Sequence, residues 1–225
     1  MTDARGHLTP GGAAAGEAAG IARWLTVHDD LLRGLAHAVS NRLATVSAMA
    51  GMLEGGGALD PRFVRGLQGD AEQLEGLLQT LRMLPRREES GVEPMLVSDA
   101  ADAARRLVEH HPALRDVTIQ VEALNDVMPV LADATALAHA IAVSLLGAAR
   151  RMGTTRALTV TLATAGDDVQ IRTQATDALS GDDADDAIDR AAIDWLLARS
   201  HGRADTSAPG CGISVTTLQA SRRRT

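Results

Sequence analysis

The stretch "LAHAVSNRLATVSAMAGML" (Leu35–Leu53) places apolar residues at Leu35, Val39, Leu43, Val46, Ala50 and Leu53, and the same three-and-four spacing runs back through Leu32, Leu25 and Ile21. This predicts one amphipathic helix from Ile21 to Leu53, about nine turns long. "EGGGALDP" (Glu54–Pro61) then breaks it, with three glycines for the turn and Asp60-Pro61 as cap and first-turn proline of a second helix. That helix carries Phe63, Leu67, Leu74, Leu78, Leu81 and Leu84 and stops near Pro85. Two long helices on a short loop make an antiparallel hairpin. A hairpin cannot cover its own apolar stripes, so a second copy is expected to complete a four-helix bundle across a twofold axis.

"PRREESGVEP" (Pro85–Pro94) is polar, charged and bounded by prolines. It divides a hairpin over 19–86 from a second domain over 95–220, with a linker at 87–94. The Gly- and Ala-rich start reads as a flexible leader over 1–18, and 221–225 as a tail. After the linker, Ser98–His110 has helical spacing and "VTIQVEA" (Val117–Ala123) alternates as a half-buried strand. "DATALAHAIAVSLLGAARRM" (Asp133–Met152) is a helix apolar on most sides, with Asp133 as its cap. Two alternating strands, "ALTVTLATAG" and "DVQIRTQA", turn at Gly166-Asp167; a helix from about Asp185 to Ser200 and the strand "CGISVTTLQ" close the chain. The fold class is therefore α+β, a helical hairpin followed by a two-layer α/β sandwich with a mainly antiparallel sheet.

Composition excludes several functions. Trp24, Phe63 and Trp195 are the only aromatic residues, too few for a base-stacking platform, and a net charge of -7 opposes binding to phosphate backbones. No nucleic-acid partner is expected, and the Arg222–Arg224 run reads as part of the tail. The chain has no lysine, which rules out a GxxxxGK[ST] phosphate loop and Schiff-base chemistry. Cys211 is the single cysteine, so disulfides within the chain and multi-cysteine zinc sites are excluded and a reducing compartment fits. With neither a signal peptide nor a run of ~18 apolar residues, the expected location is cytoplasmic and off the membrane.

On the first helix, His37 and Asn41 lie about 160° from the apolar stripe at 100° per residue, so they face solvent together. His28 falls inside the stripe and reads as a packed imidazole. An exposed, largely neutral histidine can offer a ring nitrogen to a phosphoryl group. Asn41 can hold a phosphoryl oxygen or an attacking water, and Arg33 and Arg42 can supply positive charge. An ordinary surface histidine has the same spacing, so the pattern alone leaves both readings open.

The surrounding residues resemble the phosphoacceptor box of bacterial sensor histidine kinases, with His37 at the phosphoacceptor and Asn41 at the polar position four residues on. "FVRGLQGDAEQLEGLLQTLRML" resembles the second helix of the same hairpin. "VMPVLADATALAHAIAVSLLGAARRM" resembles the asparagine-box segment of the kinase ATPase domain, and "IDWLLARSHGRADTSAPGCGISVTTL" its closing helix and strand. The resemblance spans most of 21–219 in order. It breaks at the nucleotide site: Ser144 and Ala148 stand where the family has asparagines, the second its magnesium ligand. Ala175 and Asp177 replace the first two key positions of Asp-x-Gly-x-Gly, and "SGDDADDAIDR" replaces the glycine-rich lid.

What remains resembles the dimeric histidine phosphotransferases, which have a kinase-like hairpin and a degenerate ATPase-like domain. The resemblance implies phosphoryl transfer between response-regulator aspartates through His37 in a two-component phosphorelay, with no cofactor, no ATP, no metal site and magnesium supplied by the receiver. It implies response-regulator receiver domains or a hybrid histidine kinase as partners, with Ser40, Ala44 and Ser47 as contacts. Ala38 stands where the family has an acid, and a general acid or base is worth ~10²–10⁴-fold. This leaves two alternatives open, a catalytically silent adaptor and a phosphatase in which Asn41 positions water. Elsewhere, His110-His111 reads as a helix terminus, His139 as core, His201-Gly202 as a helix end, and Asp182–Asp186 as a solvated loop.

Overall fold

Helix α1 (Pro10–Glu54) runs for 45 residues, roughly 68 Å, in the computed structural model, which describes residues 10–54, 61–82, 84, 91–177, 183–205 and 212–224. It begins eleven residues before the expected Ile21 and takes in half of the expected leader, because alanine favours helix. Helix α2 (Pro61–Arg82) folds back along it. Arg42 meets Asp70, Met49 approaches Gly66, and Leu35 clusters with Leu77, Leu81 and Leu84, so the partner's number falls as the α1 number rises. That order makes the hairpin antiparallel.

The chain then enters β1 (Glu93–Met95), which pairs antiparallel with β3 (Val130–Ala132), so Glu93 and Pro94 of the expected linker are sheet residues. Residues 85–90 of that linker, and Cys211 and Asp182, lie outside the described residues. Helix α3 (Val97–Val108) buries Ala100, Ala101, Ala104, Leu107 and Val108. A five-stranded sheet combines β2 (Thr118–Ala123), β4 (Ala157–Ala165), β5 (Asp168–Ala175), β6 (Gly202–Asp205) and β7 (Gly212–Thr216), in the order β2-β4-β5-β7-β6. Only β2 and β4 run parallel; the other three pairings are antiparallel. Gly166, at φ 63, turns β4 into β5 as the sequence predicts. The alternating Leu158, Val160, Leu162 and Val169, Ile171 face helix α4 (Ala134–Arg150) and helix α5 (Asp183–Leu197) across a continuous core.

Asp133 caps α4 by accepting the Ala136 N–H at 3.0 Å, and His139 is core, both as expected. Three expectations change. The acidic run is no solvated loop: residues 183–186 open α5, and Asp185 and Asp186 pair with Arg23 and Arg151. The left-handed residue ending α5 is His201 itself, at φ 47, while Gly202 starts β6. The tail is helical, since α6 (Leu218–Arg224) buries Ala220 and ties Arg223 to Asp167.

The apolar stripe of α1 also divides. Its upper half buries Trp24, Val27 and Leu31 in the α/β core, while Leu25 and Leu32 of the expected stripe stay exposed; in the lower half, beside α2, Leu43 is exposed as well. The buried face is turned about 90° from the stripe, because the sandwich and not α2 covers this half of the helix. Trp24 stacks on His139 at 4.6 Å between ring centroids and meets His28 at 5.7 Å. Two glycines allow the close approach. A Cβ at Gly20 would sit 2.6 Å from the Ala191 carbonyl carbon, and one at Gly34 would sit 2.3 Å from the His110 carbonyl oxygen. No helix among the described residues is long and apolar enough to cross a membrane.

Candidate functional site

His37 sits one turn beyond Gly34, on the exposed side of α1, and its Nε2 lies 3.2 Å from the Asn41 amide nitrogen. A contact in which the Asn41 amide donates uses the Nε2 lone pair and corresponds to the tautomer with the ring proton on Nδ1. The pair borders an open cleft of about 680 Å³ between the hairpin and the sandwich. From α1 the cleft takes Gly34, His37, Ala38, Asn41 and Arg42; from α2 it takes Gln73, Gly76 and Thr80. Its far wall is Arg106 and Glu109 at the end of α3, with His110, Arg115 and Asp116 following.

That wall is held rigidly. His111 is nearly buried, caps the short 3-10 turn Pro112–Leu114 by accepting the Ala113 N–H at 3.1 Å, and approaches Asp30 of α1 at 3.8 Å. Burial lowers the His111 pKa below the usual histidine value, and Asp30 offsets only part of that. With Leu114 buried behind the turn and Gly34 against the His110 carbonyl, the wall is fixed one turn from His37.

The other expected site residues divide by position. Arg42 reaches the cleft but bonds Asp70 at 3.0 Å, a carboxylate 7% exposed on α2. Arg33 bonds Asp29, and Asp30 at 3.1 Å, on the exposed side of its own helix outside the cleft lining. Ser40, Ala44 and Ser47 are exposed on α1, also outside that lining; the Ser40 hydroxyl donates to the Ala36 carbonyl at 2.8 Å. Arg106, Glu109, Arg115 and Asp116 were not foreseen, because a wall some 70 residues downstream leaves no periodic signature beside His37.

The residues aligned with a nucleotide site are engaged within the fold. Ser144 and Ala148 are buried in α4. Asp177 accepts the Thr155 N–H at 2.8 Å and the Thr154 hydroxyl at 3.1 Å, and the Thr155 N–H above all lowers its pKa. Asp189, fully buried, lies against Gly147 and pairs with Arg150 and with Arg23 at 3.2 Å. Burial outweighs both guanidinium groups and lifts the Asp189 pKa to about 6.

No family model matches the chain, and no curated protein matches it. Among solved structures it is similar to the Acinetobacter baumannii histidine kinase AdeS, at 15% identity over 83% of this chain and 97% of that one, with a TM-score of 0.45. A bacterial phosphotransferase matches at 12% identity over 84% of this chain and 95% of that one, with a TM-score of 0.44. Histidine kinase ThkA in complex with the response regulator TrrA matches at 14% identity over 86% of this chain and 63% of that one, with a TM-score of 0.40.

Proposed function

We propose that the chain is a phosphorelay histidine phosphotransferase, taking a phosphoryl group from the phosphoaspartate of one receiver domain onto His37 and giving it to the aspartate of another. The observation that carries this is the His37–Asn41 pair, exposed on a helix at the mouth of a cleft walled by the second domain. With its proton on Nδ1, His37 presents the Nε2 lone pair as the nucleophile. Asn41 releases Nε2 and turns its amide to a phosphoryl oxygen as the N–P bond forms. The P–O bond to the receiver's aspartate breaks, its carboxylate leaves with the electron pair, and the Nδ1 proton passes to solvent. Transfer to the second receiver reverses these steps.

An acyl phosphate is an activated donor, so the reaction tolerates Ala38 where an acid would otherwise assist the imidazole. ATP takes no part in this reading. Ser144 is buried, Ala148 has no side-chain donor, Asp177 is bonded to Thr154 and Thr155, and Asp189 occupies the space over Gly147. These contacts support a reading without a nucleotide. A second copy of the chain would cover exposed Leu25, Leu32 and Leu43 of α1 with Val64 and Leu78 of α2, giving a four-helix bundle with two His37 sites.

The test is phosphoryl capture. Phosphorylated receiver domains are mixed with the full chain, and acid-labile label is sought on the wild type and on His37→Ala. Label on the wild type alone is expected. Receiver binding with no label on the wild type would replace transfer with the adaptor reading. Accelerated loss of receiver phosphate that survives His37→Ala but not Asn41→Ala would replace it with the phosphatase reading.

A further inference from the structure

We infer that Arg106 and Arg115, on the sandwich wall of the cleft, bind the phosphoryl group that His37 receives, so that the transfer site is shared between the two domains. This rests on the phosphotransfer reading above. The chain carries a net charge of -7, yet the cleft is not acidic: Arg42 is balanced by Asp70, and on the wall Arg106 and Arg115 are balanced by Glu109 and Asp116. The two arginines that flank His37 on its own helix are already committed, Arg33 to Asp29 and Asp30 and Arg42 to Asp70. Among the described residues, Arg106 and Arg115 form no ion pair. Their guanidinium donors are available to phosphoryl oxygens in a way that those of Arg33 and Arg42 are not.

The wall carrying them is packed against α1. Gly34 lets the α1 backbone meet the His110 carbonyl, and His111 joins the cap of the 3-10 turn to Asp30. Arg115 directly follows that turn, and Arg106 lies on the last turn of α3 before it. Glu109 and Asp116 share the wall, so it is mixed in sign. A mixed wall suits one phosphoryl group delivered on a protein surface better than an extended polyanion. A cleft of about 680 Å³ is also far larger than a phosphoryl group, leaving room for the loops that present it.

The experiment uses the full chain with Arg106→Gln, Arg115→Gln, the double variant and the two Arg→Lys variants, with His37→Ala as the control. Two quantities are read. One is the rate of label capture against receiver concentration; the other is the binding preference for fluoroberyllate-loaded over unloaded receiver. Both arginines are exposed, so unchanged melting of the Gln variants is the check on folding. Each Gln variant is expected to raise KM roughly tenfold with a smaller change in kcat, to cut the preference for loaded receiver, and to be partly rescued by lysine.

A double variant that captures label and prefers loaded receiver as the wild type does overturns the inference and leaves the His37 reading standing. If the wild type captures no label, the transfer reading fails, and the binding arm still decides. A preference for loaded receiver that is lost in the double variant supports the anion-binding wall. A preference that is unchanged, or absent from the start, overturns it.

Discussion

Replacing Gly34 with alanine tests how closely the two domains must meet for the site to exist. In a solvent-exposed helix this change stabilises by up to ~1 kcal/mol, because glycine is a poor helix former. At Gly34 the new Cβ would lie 2.3 Å from the His110 carbonyl oxygen, about 1 Å inside ordinary van der Waals contact. Forcing that methyl into a packed backbone contact costs roughly 1–3 kcal/mol, enough to overcome the helix gain. The expected net effect is a loss of up to about 2 kcal/mol, or up to roughly 4–8 °C in Tm for a chain of this size. The wall bearing Arg106 and Arg115 would shift by about 1 Å relative to His37, and a misplacement of that size costs up to ~10²-fold in rate. Gly69 is the control, since a Cβ there meets nothing within 4 Å, and Gly69→Ala should stabilise. Urea unfolding of both variants, with phosphoryl capture alongside, is the assay. If Gly34→Ala stabilised as Gly69→Ala does and captured label normally, the close-contact reasoning would be refuted.

Three further outcomes are expected. The raised Asp189 pKa means that the folded chain holds a proton the unfolded chain releases, so the contribution is intact below pH 3.8 and is lost as pH rises through about 6. Wild-type stability relative to Asp189→Asn should therefore fall by roughly 3 kcal/mol across that window; a flat difference would exclude it. His111 titrates with the opposite sign, its lowered pKa making stability drop as pH falls below 6.5, and the wild type minus variant difference cancels that term. Trp24→Ala empties the space over His139 and should cost about 3–5 kcal/mol by chemical denaturation, whereas a loss under 1 kcal/mol would mean that α1 does not dock there. The proposed four-helix bundle predicts a dimeric mass for the wild type by light scattering and a folded monomer for Leu43→Asp together with Leu78→Asp; a monomeric wild type, or a mass unchanged in the variant, would refute it.

The hairpin was legible because three-and-four spacing and a Gly-rich break act over a few residues, and the same local rules gave Asp133 as a cap and Gly166 as a turn. The α1 face was misread in its upper half for a specific reason. Leu25, Leu32, Val27 and Leu31 are all apolar, and nothing local says which line meets the sandwich. The acidic run looked solvated because its arginine partners Arg23 and Arg151 are distant in sequence.

By itself the sequence determined the two hairpin helices from Ile21 on, helices α3 to α5, the alternating strands and a solvent-facing His37–Asn41 pair, since each follows from interactions within a turn or a strand. Only the tertiary structure decided what surrounds that pair. It engaged Arg42 with Asp70 of α2 and set Arg106 and Arg115 across the cleft by passing α1 against the His110 carbonyl at Gly34. Contacts of that kind depend on where whole elements come to rest, and no residue spacing along one helix encodes them.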